Sequence, residues 1–415
     1  MFRLDTSTIV KWAMALFVAC SIAACGGGGA SSGSASGSIS NTSASPSAPP
    51  AANVAAITVD HGVAGVPNMP FVSVTVCAPG TANCQTIDHV LVDTGSWGLR
   101  VFASELPASV ALPQQTNGNG GALAECMQFF DGYTWGSVRT ADVQIGGEHA
   151  RSLPIQLIDP NYAAVPSTCA NVGAPRNTPN TLAANGILGI GVFKHDCGAA
   201  CASQAIAGTY YTCSGTNCTP TAVAESLQVA NPVPYFGTDG NGVVISLPAV
   251  PGAGAASVSG ELIFGIGTQS NNGLASAQVI AVDAARGVFT TAQNGTTYTR
   301  GFIDSGSTGL FFETNLMSAC ASPDQAYYCP SGTEQFSAVN TGSDGRTSSV
   351  TFSVGNAAQI WQASGGAAAM PLFAGPAFVG SQDFDWGLPF FYGRRVYTAI
   401  EQQPTPAGAG PYFAY

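Results

Sequence analysis

The sequence has few charged residues and very few basic ones. Asp, Glu, Lys and Arg make up 8% of its 415 residues, and only 12 residues are Lys or Arg, against 23 Asp or Glu. A protein that binds nucleic acid needs clustered Lys and Arg to neutralise phosphates, and this chain has no such cluster. The composition therefore excludes nucleic acid as a partner, while the net charge of −11 names no other partner by itself.

Several enzyme motifs are also missing. The only G-x-S-x-G match, at residues 29–33, lies in a low-complexity segment that lacks the strand–turn–helix context of a serine hydrolase. No glycine-rich phosphate-binding loop occurs. We therefore predict neither a serine hydrolase nor a nucleotide-dependent enzyme, and no cofactor.

The N-terminal apolar run is too short to span a bilayer. Arg3 and Lys11 precede WAMALFVACSIAAC, which ends in small residues. This pattern predicts a signal peptide over residues 1–24. Its last residues with the next one, IAAC, resemble the lipobox of bacterial lipoproteins, which implies cleavage before Cys25 and lipidation of that cysteine. The alternative is an ordinary signal peptide that happens to contain a cysteine.

The segment after Cys25 is uncharged and rich in Gly, Ser, Ala and Pro. Such a composition cannot form a core, so we predict a flexible tether over residues 25–56. The lipobox resemblance implies an anchor in the cell envelope of a bacterium. Gly26 is compatible with sorting to the outer membrane, with the protein facing the periplasm or the cell surface.

The cysteines favour disulfides. Ten of the twelve cysteines remain once Cys20 and Cys25 are set aside, and an even number in an exported chain indicates bridges. We expect two local bridges, Cys77–Cys84 and Cys320–Cys329, and two bridges among the four cysteines of residues 197–218. Cys126 and Cys169 would then be left to pair with each other. A zinc site at His195, Cys197 and Cys201 is the alternative for that group, but its spacing matches no standard zinc finger. We predict no metal.

The rest of the chain reads as β structure. Short runs such as FVSVTVCA, HVLVDT, ADVQIGG, GVVISLP, GELIFGIG and SVTFSVG are separated by Gly, Pro, Asn and Ser. Helical stretches are few, and we expect them at Ala222–Val229, at Glu313–Ala319 and just after Val101. The fold class predicted is mainly β.

One motif occurs twice. DTGSWGL (Asp93–Leu99) and DSGSTGL (Asp304–Leu310) are identical at five of seven positions, and each follows an apolar strand. Later in each half come NGILGIG (Asn185–Gly191) and DWGLPFF (Asp385–Phe391), both with large apolar residues directly before a glycine. The repeat predicts two related lobes, over residues 57–232 and 233–415.

The motif suits two carboxyl groups that face each other. A buried carboxylate is costly unless it is paired or hydrogen-bonded. The glycines permit a tight turn and a close approach of the backbone, and the neighbouring hydroxyls can donate hydrogen bonds to the acids. Two such loops would bring Asp93 against Asp304, and the pair would share a proton. The supporting residues would be Thr94, Gly95, Ser96, Ser305, Gly306 and Ser307.

The two loops, their order and their downstream glycine signatures resemble the pepsin-like aspartic proteases over roughly residues 57–403. The resemblance implies a two-lobed fold of acid-protease β-barrels with a substrate cleft between the lobes. It also implies an aspartic endopeptidase that acts as a monomer on polypeptides. A catalytically silent binding or scaffold lipoprotein on the same fold is the alternative.

The chain departs from the family at several positions. The first loop has Trp97 where a small hydroxyl residue is usual, and Arg100 where tryptophan is common. The flap hairpin would be CMQFFDGYTWGS, with Asp131 and Gly132 as its tight turn. An ungapped alignment puts Phe129 at the place of the family's flap tyrosine, and Tyr133 lies across the turn. We expect Phe129, Tyr133, Trp135 and Trp97 to surround the substrate.

Overall fold

A computed structural model describes residues 51–377 and 380–415. The expectation of a mainly β protein is confirmed. The strands before residue 233 are β1 (Val54–Val59), β2 (Pro70–Cys77), β3 (Cys84–Asp93), β4 (Trp97–Phe102), β5 (Ala122–Phe129), β6 (Gly132–Ile145), β7 (Glu148–Ile158), β8 (Ala174–Pro175), β9 (Gly186–Ile190), β10 (Tyr210–Ser214) and β11 (Asn217–Pro220). We call residues 51–232 the N-terminal half and residues 233–415 the C-terminal half.

The C-terminal half is built in the same way, from short strands. These are β12 (Gly242–Leu247), β13 (Val258–Phe264), β14 (Val279–Ala281), β15 (Phe289–Gln293), β16 (Thr296–Ile303), β17 (Leu310–Phe312), β18 (Glu334–Thr341), β19 (Thr347–Val354), β20 (Ala374–Gly375), β21 (Asp383–Trp386), β22 (Arg394–Ala399), β23 (Pro404–Thr405), β24 (Gly408–Ala409) and β25 (Tyr412–Ala414).

The helices are short. The α-helices are α1 (Ser167–Ala170), α2 (Pro179–Leu182), α3 (Ala199–Ser203) and α4 (Ala357–Ser364), and the 3-10 turns are Ala103–Glu105, Glu225–Leu227, Val233–Tyr235 and Leu388–Phe390. The helix expected at Glu313–Ala319 is wrong, and only a 3-10 turn forms within Ala222–Val229. No helix in residues 51–377 or 380–415 has the length and apolar character that a membrane crossing requires.

The sheets are barrel-like. In the N-terminal half the order β6-β7-β4-β9-β3-β2 closes into a ring because β2 also pairs with β6. The same sheet continues through β1 to β13, β12, β22, β25 and β14, so strands from both halves share it. A second sheet, in the order β19-β18-β15-β16-β21-β17-β20, belongs to the C-terminal half alone.

The repeat in the sequence corresponds to a repeat in topology. In the N-terminal half, β3 runs parallel to β9, β9 antiparallel to β4, and β4 parallel to β7. In the C-terminal half, β16 runs parallel to β21, β21 antiparallel to β17, and β17 parallel to β20. In each half, a strand from later in the chain, β9 or β21, therefore lies between the two strands that flank the Asp-hydroxyl-Gly loop.

The cores of the two halves differ in composition. The N-terminal ring is filled mainly by Val, Ile and Leu. The C-terminal sheet packs aromatic rings instead: Phe312 stacks on Phe384 at 4.7 Å between ring centroids, and Phe384 lies 4.4 Å from Trp386. These buried residues occupy the strands that carry the two loops, and so they hold the loops in place.

Residues 51–377 and 380–415 contain five disulfides: Cys77–Cys84, Cys126–Cys169, Cys197–Cys201, Cys213–Cys218 and Cys320–Cys329. They confirm the expected arrangement, including two bridges within residues 197–218. The zinc alternative at His195 is wrong because Cys197 and Cys201 are bonded to each other. The predicted signal peptide, Cys25 and residues 26–50 of the predicted tether lie outside the described residues. The end of the tether prediction is corrected, because residues 54–56 belong to β1 and pair with β13.

Candidate functional site

The first loop begins where β3 ends. Val92 pairs with Leu188 and Asp93 with Gly189, so the aspartate sits at the last paired position of a buried parallel ladder. A Cβ on Gly189 would lie 2.7 Å from the backbone nitrogen of Trp97, which is closer than atoms can approach. The glycine of NGILGIG therefore allows β4 to pass close by.

The second loop repeats this arrangement. Ile303 pairs with Trp386, so Asp304 follows at the level of Gly387. A Cβ on Gly387 would lie 2.0 Å from the carbonyl oxygen of Gly309. The glycine before the LPFF run is therefore required for the same reason as its counterpart in the first half.

Asp93 and Asp304 meet within hydrogen-bonding reach. Only 6% and 8% of their surfaces are exposed. A Cβ on Gly95 would lie 2.5 Å from the Asp304 carboxyl carbon, and one on Gly306 would lie 2.8 Å from Oδ1 of Asp93. Each loop glycine thus makes room for the carboxyl group of the other loop.

Each carboxyl group receives a backbone and a hydroxyl hydrogen bond from its own loop. Gly95 N–H donates to Asp93 Oδ1 at 2.8 Å, and the Ser96 hydroxyl donates to Oδ2. Gly306 N–H donates to Asp304 Oδ1 at 2.7 Å, and the Ser307 hydroxyl lies 2.9 Å from Oδ2.

Thr94 and Ser305 link the loops to each other. Ser305 N–H donates to Thr94 Oγ1 at 2.9 Å, and Thr94 N–H donates to Ser305 Oγ at 3.1 Å. Each hydroxyl then donates onward across the interface, Thr94 to the Ile303 carbonyl at 2.9 Å and Ser305 to the Val92 carbonyl at 2.7 Å. All four hydrogen bonds join one half to the other, so together they fix the relative positions of the two loops.

The electrostatics favour a shared proton. Burial raises the pKa of Asp304 well above its ordinary range, and the charge of Asp93 and the hydrogen bond to it raise the pKa further. Hydrogen bonds from Ser307 and Gly306 partly offset this rise. Two carboxyl groups this close cannot both ionise at mildly acidic pH, so the pair retains one proton there.

The hairpin of β5 and β6 has a different turn from the one expected. Phe129 pairs with Gly132, so the two turn residues are Phe130 and Asp131. Gly132 is needed for another reason: a Cβ there would lie 2.1 Å from the Ala174 carbonyl of β8. Both turn residues are exposed, and the apolar one is Phe130, which is 49% exposed.

The tip of the hairpin points to the second loop's strand. The ring of Phe130 lies 6.2 Å from that of Phe302, two residues before Asp304. The sequence pattern does not single out Phe130, because Asp131 and Gly132 are the expected turn pair and the turn forms one residue earlier. Phe129 is half-buried at the end of β5.

Tyr133 and Trp135 lie on the buried face of β6, the second strand of the hairpin. Both are buried in a cluster with the Cys126–Cys169 disulfide and Tyr211, and Trp135 donates to the Ala163 carbonyl at 3.2 Å. Burial raises the pKa of Tyr133. The expectation that Trp135 surrounds the substrate is corrected, since its side chain is fully buried in this cluster.

The hairpin is braced from one side. Asp131 forms an ion pair with Arg176 at 2.6 Å, and the backbone N–H of Trp135 donates to Asn177 Oδ1 at 2.8 Å. The Cys126–Cys169 disulfide ties β5 to α1. The segment that follows β7 therefore holds the hairpin by a covalent bond, an ion pair and backbone pairing.

The two residues that depart from the pepsin-like pattern, Trp97 and Arg100, both lie on β4 and have different surroundings. Trp97 packs edge-on against Phe193, with 4.9 Å between ring centroids. Arg100 is fully buried and donates to Glu125 Oε1, which lies on the hairpin strand β5, and to Asp196 Oδ2 at 3.2 Å. The ionic neighbours of Arg100 are distant in sequence, so sequence reasoning did not find them.

Asp385 is a third carboxyl group at the site that sequence reasoning missed. Its Oδ2 lies 2.6 Å from the hydroxyl of Ser307. It occupies the position that Ile187 has in the first half, since both residues pair with the strand position two before the aspartate. An acid in place of an apolar residue at that position was the signal in the sequence.

Comparison with known proteins gives a family but no activity. No curated protein matches the chain. A family model described as "Protein of unknown function (DUF3443)" matches residues 49–415. The chain therefore belongs to the family described as protein of unknown function, DUF3443.

Proposed function

We propose that this protein is an aspartic endopeptidase with a two-lobed, pepsin-like fold. The observation that carries the proposal is the meeting of Asp93 and Asp304 at equivalent points of a repeated topology, each held by a glycine N–H and a serine hydroxyl. A buried carboxyl pair that shares a proton supplies one base and one acid at the same point.

The mechanism needs no cofactor. One carboxylate takes a proton from a water molecule held between the two aspartates, while the protonated partner donates a hydrogen bond to the scissile carbonyl. The water attacks the carbonyl carbon, a tetrahedral diol forms, and proton transfer to the amine completes cleavage. The pair titrates as a unit, so the acid and base roles belong to Asp93 and Asp304 together.

The substrate would be an extended polypeptide lying between the halves under the β5–β6 hairpin. The exposed ring of Phe130 and its neighbour Phe302 supply an apolar surface on that side. We infer a preference for hydrophobic side chains beside the cleaved bond.

As part of the same proposal, Cys25 anchors the protein by lipid in a bacterial envelope, in the outer membrane. Incorporation of labelled palmitate that is lost in Cys25→Ser would test this anchor.

A test of the function uses the purified full-length protein with its disulfides intact. Cleavage of an unfolded protein is measured over about pH 3 to 7, the range in which a shared-proton carboxyl pair titrates. Asp93→Asn and Asp304→Asn should each lower the rate about 10²- to 10⁴-fold, the usual contribution of acid–base catalysis. Thermal melts should find both variants folded.

The matched control is Asp142→Asn. Asp142 also lies on a strand and accepts backbone hydrogen bonds, from Gly80 and Ser152, but it is remote in topology from the two loops. Its activity should stay at the wild-type level. Equal activity of wild type and Asp93→Asn would contradict the proposal.

The second candidate is a catalytically silent binding or scaffold protein on the same fold. The bracing of the hairpin favours it, because the disulfide and the Asp131–Arg176 ion pair restrict the motion that admits a substrate. A folded wild-type protein that cleaves no unfolded substrate at any pH would support this candidate over the peptidase.

A further inference from the structure

A chain of hydrogen bonds extends from the aspartate pair to Asp385. The hydroxyl oxygen of Ser307 lies 2.9 Å from Asp304 Oδ2 and 2.6 Å from Asp385 Oδ2. A serine hydroxyl has one proton to donate. It can therefore donate to one of these carboxyl groups only, and the other must carry a proton and donate to the serine oxygen.

The surroundings decide which carboxyl group carries that proton. Asp304 has the Gly306 N–H as a second donor, as well as its contact with Asp93. The other oxygen of Asp385, Oδ1, is buried and has no hydrogen-bond partner among the described residues. An ionised Asp385 would thus be a buried carboxylate with a single donor, which is far more costly than a neutral acid.

The charges around Asp385 act in the same direction. It lies on β21 between β16 and β17, and the charged groups that act on it are Asp304, Asp93 and Asp383. All three are acids, and Asp383 is itself paired with Arg300. Burial, followed by the charge of Asp304, raises the pKa of Asp385 well above its ordinary range, and the Ser307 hydrogen bond offsets only part of this rise.

We propose that Asp385 is a protonated positioning residue whose O–H donates to Ser307, so that Ser307 is held as the donor to Asp304. The site then contains three carboxyl groups with two protons and one negative charge. Asp385 touches no substrate in this scheme; it orients the hydroxyl that supports Asp304. Only the consequence for catalysis rests on the proposed function.

Infrared spectroscopy of the full-length protein tests the protonation state without any assay of activity. The spectra are recorded at about pH 6.5, more than two units above the ordinary pKa of aspartate. The spectrum of Asp385→Asn should lack one protonated-carboxyl band that the wild-type spectrum contains. The matched control is Asp383→Asn, on the same strand, which should instead lose carboxylate bands because its partner is Arg300. Loss of carboxylate bands in Asp385→Asn would overturn the proposal.

A second variant keeps the proposal testable if Asp385→Asn does not fold. Ser307→Ala leaves Asp385 in place but removes its acceptor, so the protonated-carboxyl band should shift to the frequency of a weaker hydrogen bond. An unchanged band would mean that Asp385 does not donate to Ser307, which also overturns the proposal.

Activity gives a separate measurement. Asp385→Leu has no donor for Ser307 and should lower kcat/KM up to about tenfold, the scale of one lost neutral hydrogen bond. Asparagine can still donate to Ser307 through its amide, so Asp385→Asn should recover most of that loss. A loss as large as that of Asp93→Asn would contradict a positioning role. A wild type without activity would remove the proposed function and leave the infrared result intact.

Discussion

A second buried pair of acids predicts how stability depends on pH. Glu148, at the start of β7, hydrogen-bonds to Asp239 of the C-terminal half, and both side chains are buried. Asp239 accepts hydrogen bonds from Thr268, from Gln269 at 3.2 Å and from Thr238 at 3.3 Å. Because Asp239 is supplied with donors, the proton of the pair resides on Glu148.

The magnitude follows from the pKa. Burial, followed by the charge of and the hydrogen bond to Asp239, raises the pKa of Glu148 from 4.5 to about 7. Each unit corresponds to about 1.4 kcal/mol, so the full shift corresponds to about 3 kcal/mol, and solvent screening reduces this to about 1–3 kcal/mol. The folded state holds the proton more tightly than the unfolded chain. The stabilisation is therefore complete below pH 4.5 and is lost as the pH rises through about 7.

The perturbation is Glu148→Gln, which stays neutral at every pH and can still donate to Asp239. Near pH 4.5 we expect wild type and variant to melt at similar temperatures. At about pH 8 the variant should be more stable by about 1–3 kcal/mol. With an unfolding entropy of about 2.1 cal/mol/K per residue over about 365 residues, this is a rise of roughly 1 to 4 °C in Tm.

Thermal melts by circular dichroism at the two pH values measure this difference. Glu261→Gln, at an exposed position of β13, is the matched control and should alter neither the Tm nor its pH dependence. A variant that is less stable than wild type at pH 8 would mean that Glu148 is ionised in the folded protein. A shift of equal size at both pH values would mean that the effect does not come from protonation of Glu148, and either result would contradict the prediction.

Two further predictions concern the hairpin and its base. Arg100→Met leaves Glu125 and Asp196 buried without their cation, so the free energy of unfolding, measured with guanidinium, should fall by about 3–5 kcal/mol. The control Arg151→Met, at an exposed position, should change it by less than about 0.5 kcal/mol. Phe130→Ala should raise the KM for peptide cleavage and keep the Tm within about 1 °C of wild type. The control Leu316→Ala, at an exposed apolar residue elsewhere, should change neither value. An unchanged KM in Phe130→Ala would exclude the hairpin tip from substrate binding.

Local sequence signals were sufficient for the loops and for the two local disulfides Cys77–Cys84 and Cys320–Cys329. The motif around Asp93 and its repeat around Asp304 contain the hydroxyls and glycines that the close contact requires, because each glycine faces the other loop's carboxyl group. The cysteine spacings allowed short bridges that close without bringing distant elements together. The signals of α4 were also local but were overlooked: Asn356 accepts from Gln359 N–H at the start of the helix, and Gly365 ends it in the left-handed conformation.

Tertiary packing decided the features that were predicted wrongly or not at all. The alternation along β6 puts Tyr133 and Trp135 on one face, but only the packing of the Cys126–Cys169 segment decides that this face is buried. In the same way, residues 313–319 have an apolar content that suits a helix, yet the Tyr298 hydroxyl bonds the Glu313 carbonyl and no helix forms.

The residues that form each loop follow from local sequence, since strand, aspartate, hydroxyl and glycine act within a few positions of one another. Which charged groups meet depends instead on the folding of the whole chain. The partners Arg100 and Glu125, Glu148 and Asp239, and Ser307 and Asp385 come from strands and loops that are separate in the chain, and their contacts depend on how the sheets curve and cross. The physical reason is that hydrogen bonds and ion pairs act over a few ångströms of space, whatever the separation along the chain.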